Sequence, residues 1–461
     1  MPASQHELTD RLVTAVTGKD SDAVGTLLRE GADPRAPGPD GLPLLCTAVA
    51  GFDHESAGAL TGGGADPDHE LPDGTTPLLR AVDLGSPALV EAVLGDDPRT
   101  RLTEGARKRL LDLARYWTEA GEEAELRRRT GASGPAVQRL ATENDTEVEE
   151  ITLGGLTVRA GHTGILTWLE WTFGIPAPVA DLAARAVAHP DALHANWAQS
   201  RFVLGERRGP QVWHELKALR HHPDPVHRLF LADTVWSRNS LTWFNHRQDV
   251  AEDADFLASW ARDEPDGTVL ARVLDVYADQ EHPDQETIGL RHAGHPDPRV
   301  RGEVPYLLRR APPPTEVATD ALLVLSRDPD PDVRRSVAGA MAGPGLTPAF
   351  REALLTLVRD TDAQVRAGAA VALGNSDDRT GAVADALVAL LDDQDQDQLL
   401  CLEIVHALAR RDDPRTEYAW ERVGELPPGF GEMPQQEDHR ILAYWAYRSR
   451  HRPTDPHGPS A

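Results

Sequence analysis

The chain has 461 residues, of which 40% are hydrophobic and 26% are charged. Such values are typical of a folded globular protein and exclude a disordered or collagen-like chain, and the length predicts about two to four domains. The 47 Lys and Arg against 74 Asp and Glu leave a net charge of −27. This charge argues against nucleic acid as the main partner, because phosphate binding needs clustered positive charge.

No targeting or membrane segment is visible in the sequence. The first residues contain neither a basic nor an apolar signal region, and no stretch approaches the roughly 20 apolar residues of a membrane-spanning helix. Cys46 and Cys401 lie far apart in apolar runs and outside any CxxC motif. We therefore expect two reduced, buried thiols and a cytoplasmic location.

Residues 1–100 repeat with a step of 33. GADP at 31–34 returns at 64–67, and DG at 40–41 returns at 73–74, followed by LPLL at 42–45 and TPLL at 76–79. These motifs resemble the ankyrin repeat, which implies pairs of short helices joined by tight turns. Leu45 and Leu79 stand where that family usually has histidine.

Residues 101–177 match neither this period nor the one that follows. The charged stretch Arg107–Thr130 predicts a helix, and Ile151–Arg159 predicts a short β-hairpin. Trp168, Trp171 and Phe173 form an aromatic patch that we expect to pack against the next helices. We interpret this segment as a helical connector.

Residues 178–425 repeat with a different unit, marked by an aspartate that recurs every 31–33 residues, with one longer step of 42. Leucines precede it by eight and five residues, and apolar side chains follow it by three, seven and eleven. Each unit is therefore predicted to consist of two amphipathic helices joined by an aspartate-containing turn. The recurring residues are Asp191, Asp224, Asp266, Asp297, Asp330, Asp362 and Asp395.

Two of these units, LSRDPDPDVRR at 325–335 and LVRDTDAQVR at 357–366, resemble HEAT repeats of the phycobilisome-lyase-like type. The resemblance implies stacked helical hairpins over 178–425. Beyond it, 426–461 is predicted to be a C-terminal helix and a disordered tail. The predicted fold class is all-α, an α-solenoid of ankyrin-like repeats followed by HEAT-like helical hairpins.

In four units an arginine follows the aspartate by four residues. The aspartate is predicted to cap a helix, and one turn later the arginine can reach its own aspartate or that of the neighbouring unit. We interpret these residues as a structural ladder of caps and ion pairs, with an anion-binding stripe on the concave face as the alternative. The pairs are Asp224 with Arg228, Asp297 with Arg301, Asp330 with Arg334, and Asp362 with Arg366.

Eighteen histidines raise the possibility of a metal site. His194 and His227 both lie three residues after the repeat aspartate, so stacking is expected to bring them close. No third ligand is spaced to complete a site, and we predict no metal. His-Glu pairs at 6–7, 54–55, 69–70 and 214–215, and the single Glu403-x-x-His406, do not fit the register of the di-iron HEAT-repeat family, the deoxyhypusine hydroxylases.

No nucleophile elbow, phosphate loop, dinucleotide-binding glycine pattern or HExxH motif occurs, so no catalytic residue and no cofactor are predicted. The pattern favours a non-catalytic scaffold whose repeats bind an extended protein partner with basic segments, without nucleic acid or membrane. One alternative is a HEAT-fold enzyme, a metal-dependent oxidoreductase or chromophore lyase with a cofactor between repeats. A nucleic-acid repair module is a third interpretation, disfavoured by the charge.

Overall fold

The computed structural model describes residues 5–242, 247–309, 314–343, 346–391, 398–424 and 439–451. The chain forms two compact units, Met1–Asn245 and His246–Ala461. Within the described residues both units consist of stacked helices, and one small sheet lies in the first unit. The predicted all-α solenoid class is confirmed. None of the described helices has the length and apolar character needed to cross a membrane.

The first unit begins with three helical hairpins, each made of two short helices. Thr76 and Ser86 show why the third hairpin forms here, since their side chains accept hydrogen bonds from the backbone of Leu79 and Leu89 and a proline follows each cap. The six helices are α1 (Gln5–Gly18), α2 (Ser21–Arg29), α3 (Leu44–Ala50), α4 (His54–Gly62), α5 (Pro77–Leu84) and α6 (Pro87–Leu94).

The predicted connector continues this stack and does not interrupt it. A short helix, α7 (Pro98–Arg101), leads into α8 (Glu104–Ala120), and α9 (Glu122–Thr130) follows. The stretch Arg107–Thr130 is therefore helical as predicted, except at Gly121, where it divides into two helices. Helix α8 ends at Gly121, whose φ of 77° is not helical. Few residues other than glycine adopt this backbone conformation.

A three-stranded antiparallel sheet follows α9, where only a hairpin over Ile151–Arg159 was predicted. The strands are β1 (Val137–Glu143), β2 (Thr146–Leu153) and β3 (Leu156–Arg159), in the order β1-β2-β3. The predicted hairpin corresponds to β2 and β3, which pair Leu153 with Leu156 across a Gly-Gly turn. The exposed strand β1 was missed because its side chains bury almost no apolar surface.

The rest of the first unit returns to helical hairpins. Its elements are α10 (His162–Phe173), α11 (Val179–Val187), α12 (Ala195–Glu206), α13 (Pro210–Ala218), a 3-10 turn (Leu219–His221) and α14 (Pro225–Thr242). The second helices of successive hairpins contact one another in the order α2, α4, α6, α10, α12, α14. Helix α9 and the sheet are thus inserted between α8 and α10, which themselves pack as a pair.

In the part of the second unit that the structure describes, the helices form six hairpins. Its helices are α15 (Arg247–Ala261), α16 (Gly267–Ala278), α17 (Gln285–His292), α18 (Pro298–Leu308), α19 (Glu316–Leu325), α20 (Pro331–Ala340), α21 (Pro348–Leu357), α22 (Ala363–Asn375), α23 (Gly381–Leu391), α24 (Gln398–Arg410), α25 (Thr416–Val423) and α26 (His439–Arg450). The second helices again form a row, α16, α18, α20, α22, α24 and α26, in which each contacts the next.

The core of this unit is built from the apolar stripes of the sequence repeat. Val333, Val337 and Met341 of one unit, and Val365 and Leu373 of the next, are all almost fully buried. They lie on one face of each second helix because a spacing of three or four residues returns to the same side. Asp395 and the tail after Arg452 lie outside the described residues.

The two compact units differ from the four segments predicted from the sequence. The first unit contains residues 1–100, residues 101–177 and the first two hairpins of the HEAT-like segment. The change of repeat type near residue 178 is not a change of compact unit, because α10 packs against helices on both sides of it. The repeat type of each segment stays a prediction.

Candidate functional site

The repeat aspartates lie at the turns between paired helices. At five helix starts the aspartate side chain accepts a hydrogen bond from the backbone N–H two residues later, at 2.9–3.0 Å. This contact satisfies one of the N–H groups left unpaired at a helix start. The five residues are Asp224, Asp266, Asp297, Asp330 and Asp362. Asp191 accepts the same kind of bond from the backbone N–H of Leu193, at 2.9 Å, but it lies before the start of α12, where His194 is the capping residue.

In two units, those of Arg301 and Arg334, the arginine connects its own turn to the next one. Arg334 donates to the carbonyl oxygens of Asp328 and Pro329, at 2.8 and 3.1 Å, within its own turn. Its other two nitrogens bind both carboxylate oxygens of Asp360 in the next turn, each at 2.8 Å. Arg301 repeats this arrangement with the Asp328 carboxylate, at 2.7 and 2.8 Å.

The sequence analysis predicted that the arginine reaches a repeat aspartate. In the structure it reaches the aspartate two positions before the repeat aspartate of the next turn. Asp328 and Asp360 also accept the backbone N–H of Asp330 and Asp362. The repeated D-x-D spacing was visible in the sequence. In earlier units His222 and His295 occupy the same position and accept the same backbone N–H through Nδ1.

These contacts make the arginines part of the structure of the stack. Arg301 and Arg334 are each only 14% exposed, and each donates four hydrogen bonds to protein oxygens. Arg228 and Arg366 make the corresponding bonds to the carbonyls of their own turns. The geometry favours the structural ladder over the anion-binding stripe, because a bidentate carboxylate already occupies the guanidinium fork of Arg301 and Arg334.

A first histidine cluster lies where β2 meets the start of α12. His189 and His194 stack with their rings nearly parallel, 4.2 Å between centroids. His194 Nε2 lies 3.0 Å from Glu149 Oε2, and the backbone N–H of Glu147 donates to the carbonyl oxygen of Leu193 at 2.8 Å. Glu149 is the nearby carboxylate that spacing did not reveal, because it comes from a strand 45 residues before His194.

The hydrogen bonds around this cluster fix where its protons lie. The backbone N–H of Gly164 donates to Asn196 Oδ1 at 2.8 Å, so Asn196 Nδ2 is the donor to His189 Nδ1 at 3.2 Å. The backbone N–H of Asn196 donates to His194 Nδ1 at 3.1 Å. Each imidazole therefore accepts at Nδ1 and carries its proton on Nε2.

This proton arrangement makes the first cluster a structural joint and a poor metal site. A metal bound at Nε2 needs the lone pair that the proton occupies, and the parallel rings do not converge on one point. Burial and the neighbouring His194 lower the pKa of His189, against Glu149 and Glu122, which raise it. Within the cluster, His194 ties β2 to α12 through its contacts with Glu149 and the backbone of Asn196.

His194 and His227, which we expected to approach each other, make no ring contact or hydrogen bond with each other. Each ring instead stacks on the histidine five residues before it in its own turn, and His227 lies on His222 with 3.7 Å between centroids. His227 Nδ1 also lies 3.2 Å from Asp224 Oδ2. The contacts within each turn are local, so they form whatever the distance between successive turns.

A second cluster lies between α24 and α26. Glu403, His406 and His439 each bring a possible ligand atom within 4.8 Å of the other two. The two imidazole rings are perpendicular, with centroids 4.9 Å apart. Arg440 Nη1 donates to Glu403 Oε1 at 3.0 Å. The sequence showed Glu403 and His406 but not His439, which lies 33 residues further along the chain and reaches the cluster through the packing of α26.

The other residues singled out in the sequence lie apart. The His-Glu pairs occur on α1, on α4, in the turn before α5 and on α13, and no three-residue metal cluster among the described residues includes them. Cys46 and Cys401 are both buried, and neither belongs to a disulfide. Burial raises the pKa of the Cys46 thiol to about 11, so it is protonated at neutral pH.

Glu303 is a titratable residue that the sequence analysis did not identify. It lies on α18 near Asp275 and Arg272 of α16, within the row of second helices. Burial above all, and the neighbouring Asp275, raise the pKa of Glu303 to about 7 against Arg272, which lowers it. Its carboxyl group therefore changes protonation near neutral pH.

Comparison with known proteins finds a family match for only part of the chain. The family model for HEAT repeats matches residues 318–409, which cover most of α19 to α24. No curated protein matches the chain. The structure of the YibA protein of Escherichia coli is 15% identical, with 59% of this chain and 93% of that one aligned at a TM-score of 0.43. An engineered protein is 16% identical, with 96% and 99% aligned at a TM-score of 0.35.

Proposed function

We propose that this protein is a non-catalytic scaffold that binds a protein partner along its helical repeats. The observation that supports this most strongly is the unbroken row of second helices in each unit, α2 to α14 and α16 to α26. Repeat proteins use such rows as extended binding surfaces, because each added hairpin presents another set of outward side chains. The HEAT-type segment at 318–409 belongs to the second row.

The first three hairpins are proposed to be of the ankyrin type. The turn before α3 is held by a hydrogen bond from the backbone N–H of Gly38 to the carbonyl oxygen of Leu42 at 2.7 Å. The turn before α5 has the bond from Leu71 to Thr75 at 2.8 Å. The two turns thus occupy equivalent positions of the 33-residue repeat. A partner that binds along the repeats can contact both turns at once.

Charge indicates what kind of partner these turns fit. The equivalent turns carry exposed acidic side chains at Asp33, Asp40, Asp66, Glu70 and Asp73. A net charge of −27 adds a long-range field that attracts basic segments and repels acidic ones. We therefore propose a partner with Lys- or Arg-rich segments, bound in the cytoplasm. Attraction of this kind mainly raises the association rate and weakens with salt.

The test is affinity capture of partners from a cytoplasmic extract on the immobilised full-length protein. Capture is compared at about 0.1 M and about 1 M salt, where the Debye length falls from about 10 Å to about 3 Å. We expect proteins with basic segments to be retained at low salt and released at high salt. Retention of no protein at low salt, or retention that salt does not change, would contradict the proposal.

A matched pair of variants locates the surface. Glu70→Lys reverses an exposed charge on one repeat turn, and Asp145→Lys makes the same change in the exposed loop between β1 and β2. We expect Glu70→Lys to reduce capture severalfold and Asp145→Lys to leave it close to the original level. Equal losses in both variants would mean that net charge, and not the repeat turns, governs binding.

A further inference from the structure

We propose that Glu403, His406 and His439 form a binding site for a divalent transition metal ion of the zinc class. Two imidazoles and one carboxylate are a known ligand set for Zn²⁺, and related ions such as Co²⁺ and Ni²⁺ accept the same donors. With three protein ligands, the fourth coordination position would be left to water. The site concerns metal binding alone and does not depend on the proposed scaffold function.

The fold places two of the ligands side by side on one helix. Glu403 and His406 are three residues apart on α24, a spacing that puts both side chains on the same face. The residues between and beside them are buried in the core, among them Leu402, Ile404 and Val405. Glu403 and His406 themselves are only partly buried, so they lie on the side of α24 that does not enter this core.

The third ligand comes from the next helix of the row. His439 is the first residue of α26, which packs against α24, and its ring meets the ring of His406 edge to face. Rings at 90° can direct one in-plane nitrogen each toward a common point between them. The parallel rings of His189 and His194 cannot do this without rotating, which would break their bonds to Asn196.

The distances are compatible with coordination after a small adjustment. The three ligand atoms lie within 4.8 Å of one another. Metal–ligand bonds of about 2.0–2.2 Å in a tetrahedral site put neighbouring ligand atoms roughly 3.4 Å apart. Side-chain rotation therefore has to bring the three atoms together by about 1 Å, which is within reach of partly exposed side chains.

Arg440 gives the carboxylate a second partner. It donates to Oε1 of Glu403, and a carboxylate has another oxygen, Oε2, with which to bind a cation. Carboxylates that bind metals are commonly held by such an additional hydrogen bond, which fixes their orientation. The same contact links α24 to α26, so a bound metal would strengthen an existing connection between the two helices.

The experiment is a titration of the full-length protein with Co²⁺, followed by displacement with Zn²⁺. Tetrahedral Co²⁺ bound to nitrogen and oxygen ligands has a visible absorption band, so binding is seen directly and is distinguished from loose surface binding. We expect one saturable equivalent of Co²⁺ in the original protein, displaced by Zn²⁺. Far-UV circular dichroism confirms that each variant is folded.

Variants of the two clusters provide the comparison. We expect His406→Ala and Glu403→Gln to weaken Co²⁺ binding by at least about tenfold. The control, His189→Ala, removes a histidine from the other His-His-Glu cluster and should leave the visible band and the stoichiometry unchanged. Because His439 lies at the exposed start of α26, His439→Ala gives the same test if His406→Ala does not fold.

Three results would overturn the proposal. They are the absence of a saturable band in the original protein, Co²⁺ binding by both His406→Ala and His439→Ala equal to that of the original protein, and loss of the band in His189→Ala alone. None of these results bears on partner capture, which is measured without added metal. The two proposals can therefore fail separately.

Discussion

Asp360 shows how one side chain serves several contacts at a turn of the stack. It binds Arg334 of the preceding hairpin through both carboxylate oxygens and accepts the backbone N–H of Asp362. The hydrogen bonds from Arg334 hold the pKa of Asp360 below its usual value, although burial opposes this. The carboxylate is therefore ionised at neutral pH and remains available to both partners.

The helix caps can be tested one residue at a time. We expect Asp330→Ala and Asp362→Ala each to lower the free energy of unfolding by about 1 kcal/mol, within a range of about 0.5–2 kcal/mol, because each removes the acceptor for N–H groups at a helix start. Urea unfolding followed by circular dichroism measures the change. Asp332→Ala, at a side chain 78% exposed, is the control. Equal stability of all three variants would show that the caps contribute nothing.

Glu303 gives a prediction with a definite pH dependence. Its pKa is about 7 in the folded protein and near 4.5 when unfolded, so between these values the folded state holds a proton that the unfolded state has released. The contribution of Glu303 to the free energy of unfolding is therefore fully present below about pH 4.5 and is lost as the pH rises to about 7.

The variant Glu303→Gln should remove this dependence. At about pH 8 we expect it to be more stable than the original protein, by up to about 3 kcal/mol, and at about pH 4 to be nearly equal. Thermal unfolding at the two pH values is the measurement. Glu352→Gln, at a side chain 71% exposed, should show no such difference. If the stability of Glu303→Gln differed from that of the original protein by the same amount at both pH values, the difference would come from packing and not from the protonation of Glu303.

At the scale of elements, the sheet is attached to the first unit by close backbone contacts and a buried charge. The backbone N–H of Gly161, just after β3, donates to the carbonyl oxygen of Gly85 at 3.0 Å. Glu143 at the end of β1 accepts the backbone N–H of Ala88 at 3.1 Å and forms an ion pair with Arg159. The carboxylate therefore caps α6 from a strand that is 55 residues away in sequence.

Gly85 is the position where this attachment leaves no room for a side chain. It has a φ of 72°, and a Cβ there would overlap the carbonyl oxygen of Arg159 and the ring of His162. We expect Gly85→Ala to lower the free energy of unfolding by about 2–5 kcal/mol, because overlap adds to the cost of the left-handed backbone.

Gly131 provides the control for this prediction. It has a similar φ of 67°, but a Cβ there meets nothing within 4 Å. Gly131→Ala should therefore show only the backbone cost, about 1–2 kcal/mol. Both changes are measured by urea unfolding of the full chain. Similar losses in the two variants would mean that the sheet yields to accommodate the methyl group.

At the scale of the whole molecule, each compact unit contains an extensive buried apolar cluster. One runs from Leu8 to Phe173 within the first unit, and another runs from Val304 to Tyr444 within the second. In repeat proteins stability is close to a sum of local terms, since each hairpin contacts only its neighbours. Such chains often unfold in more than one step.

We therefore expect tryptophan fluorescence and circular dichroism to give different unfolding curves. Seven of the ten tryptophans belong to the first unit, so fluorescence reports mainly on that unit, whereas circular dichroism reports on the helices of both. Urea unfolding of one sample measured by both methods is the test. Curves that coincide with a single midpoint would show that the whole chain unfolds in one step.

Much of the architecture followed from the sequence alone. The spacing of apolar residues identified the paired helices, since a period near 3.6 places Val333 and Val337 on one face. The all-α solenoid class and the positions of capping residues such as Asp330 and Asp362 were also available from local sequence. These properties depend on contacts within a helix or across one turn, which a short window of sequence contains.

Other features were decided only by the tertiary structure. Each of these features depends on contacts between separate elements. They are the pairing of the exposed strand β1 with β2, the contact of Glu149 with His194, and the contact of His439 with Glu403 and His406. The spacing of residues in the sequence does not predict these contacts, because the chain between the partners is long and their approach depends on how the helices and the sheet pack. The sequence therefore determined the repeating hairpins, and packing determined which polar side chains meet between them.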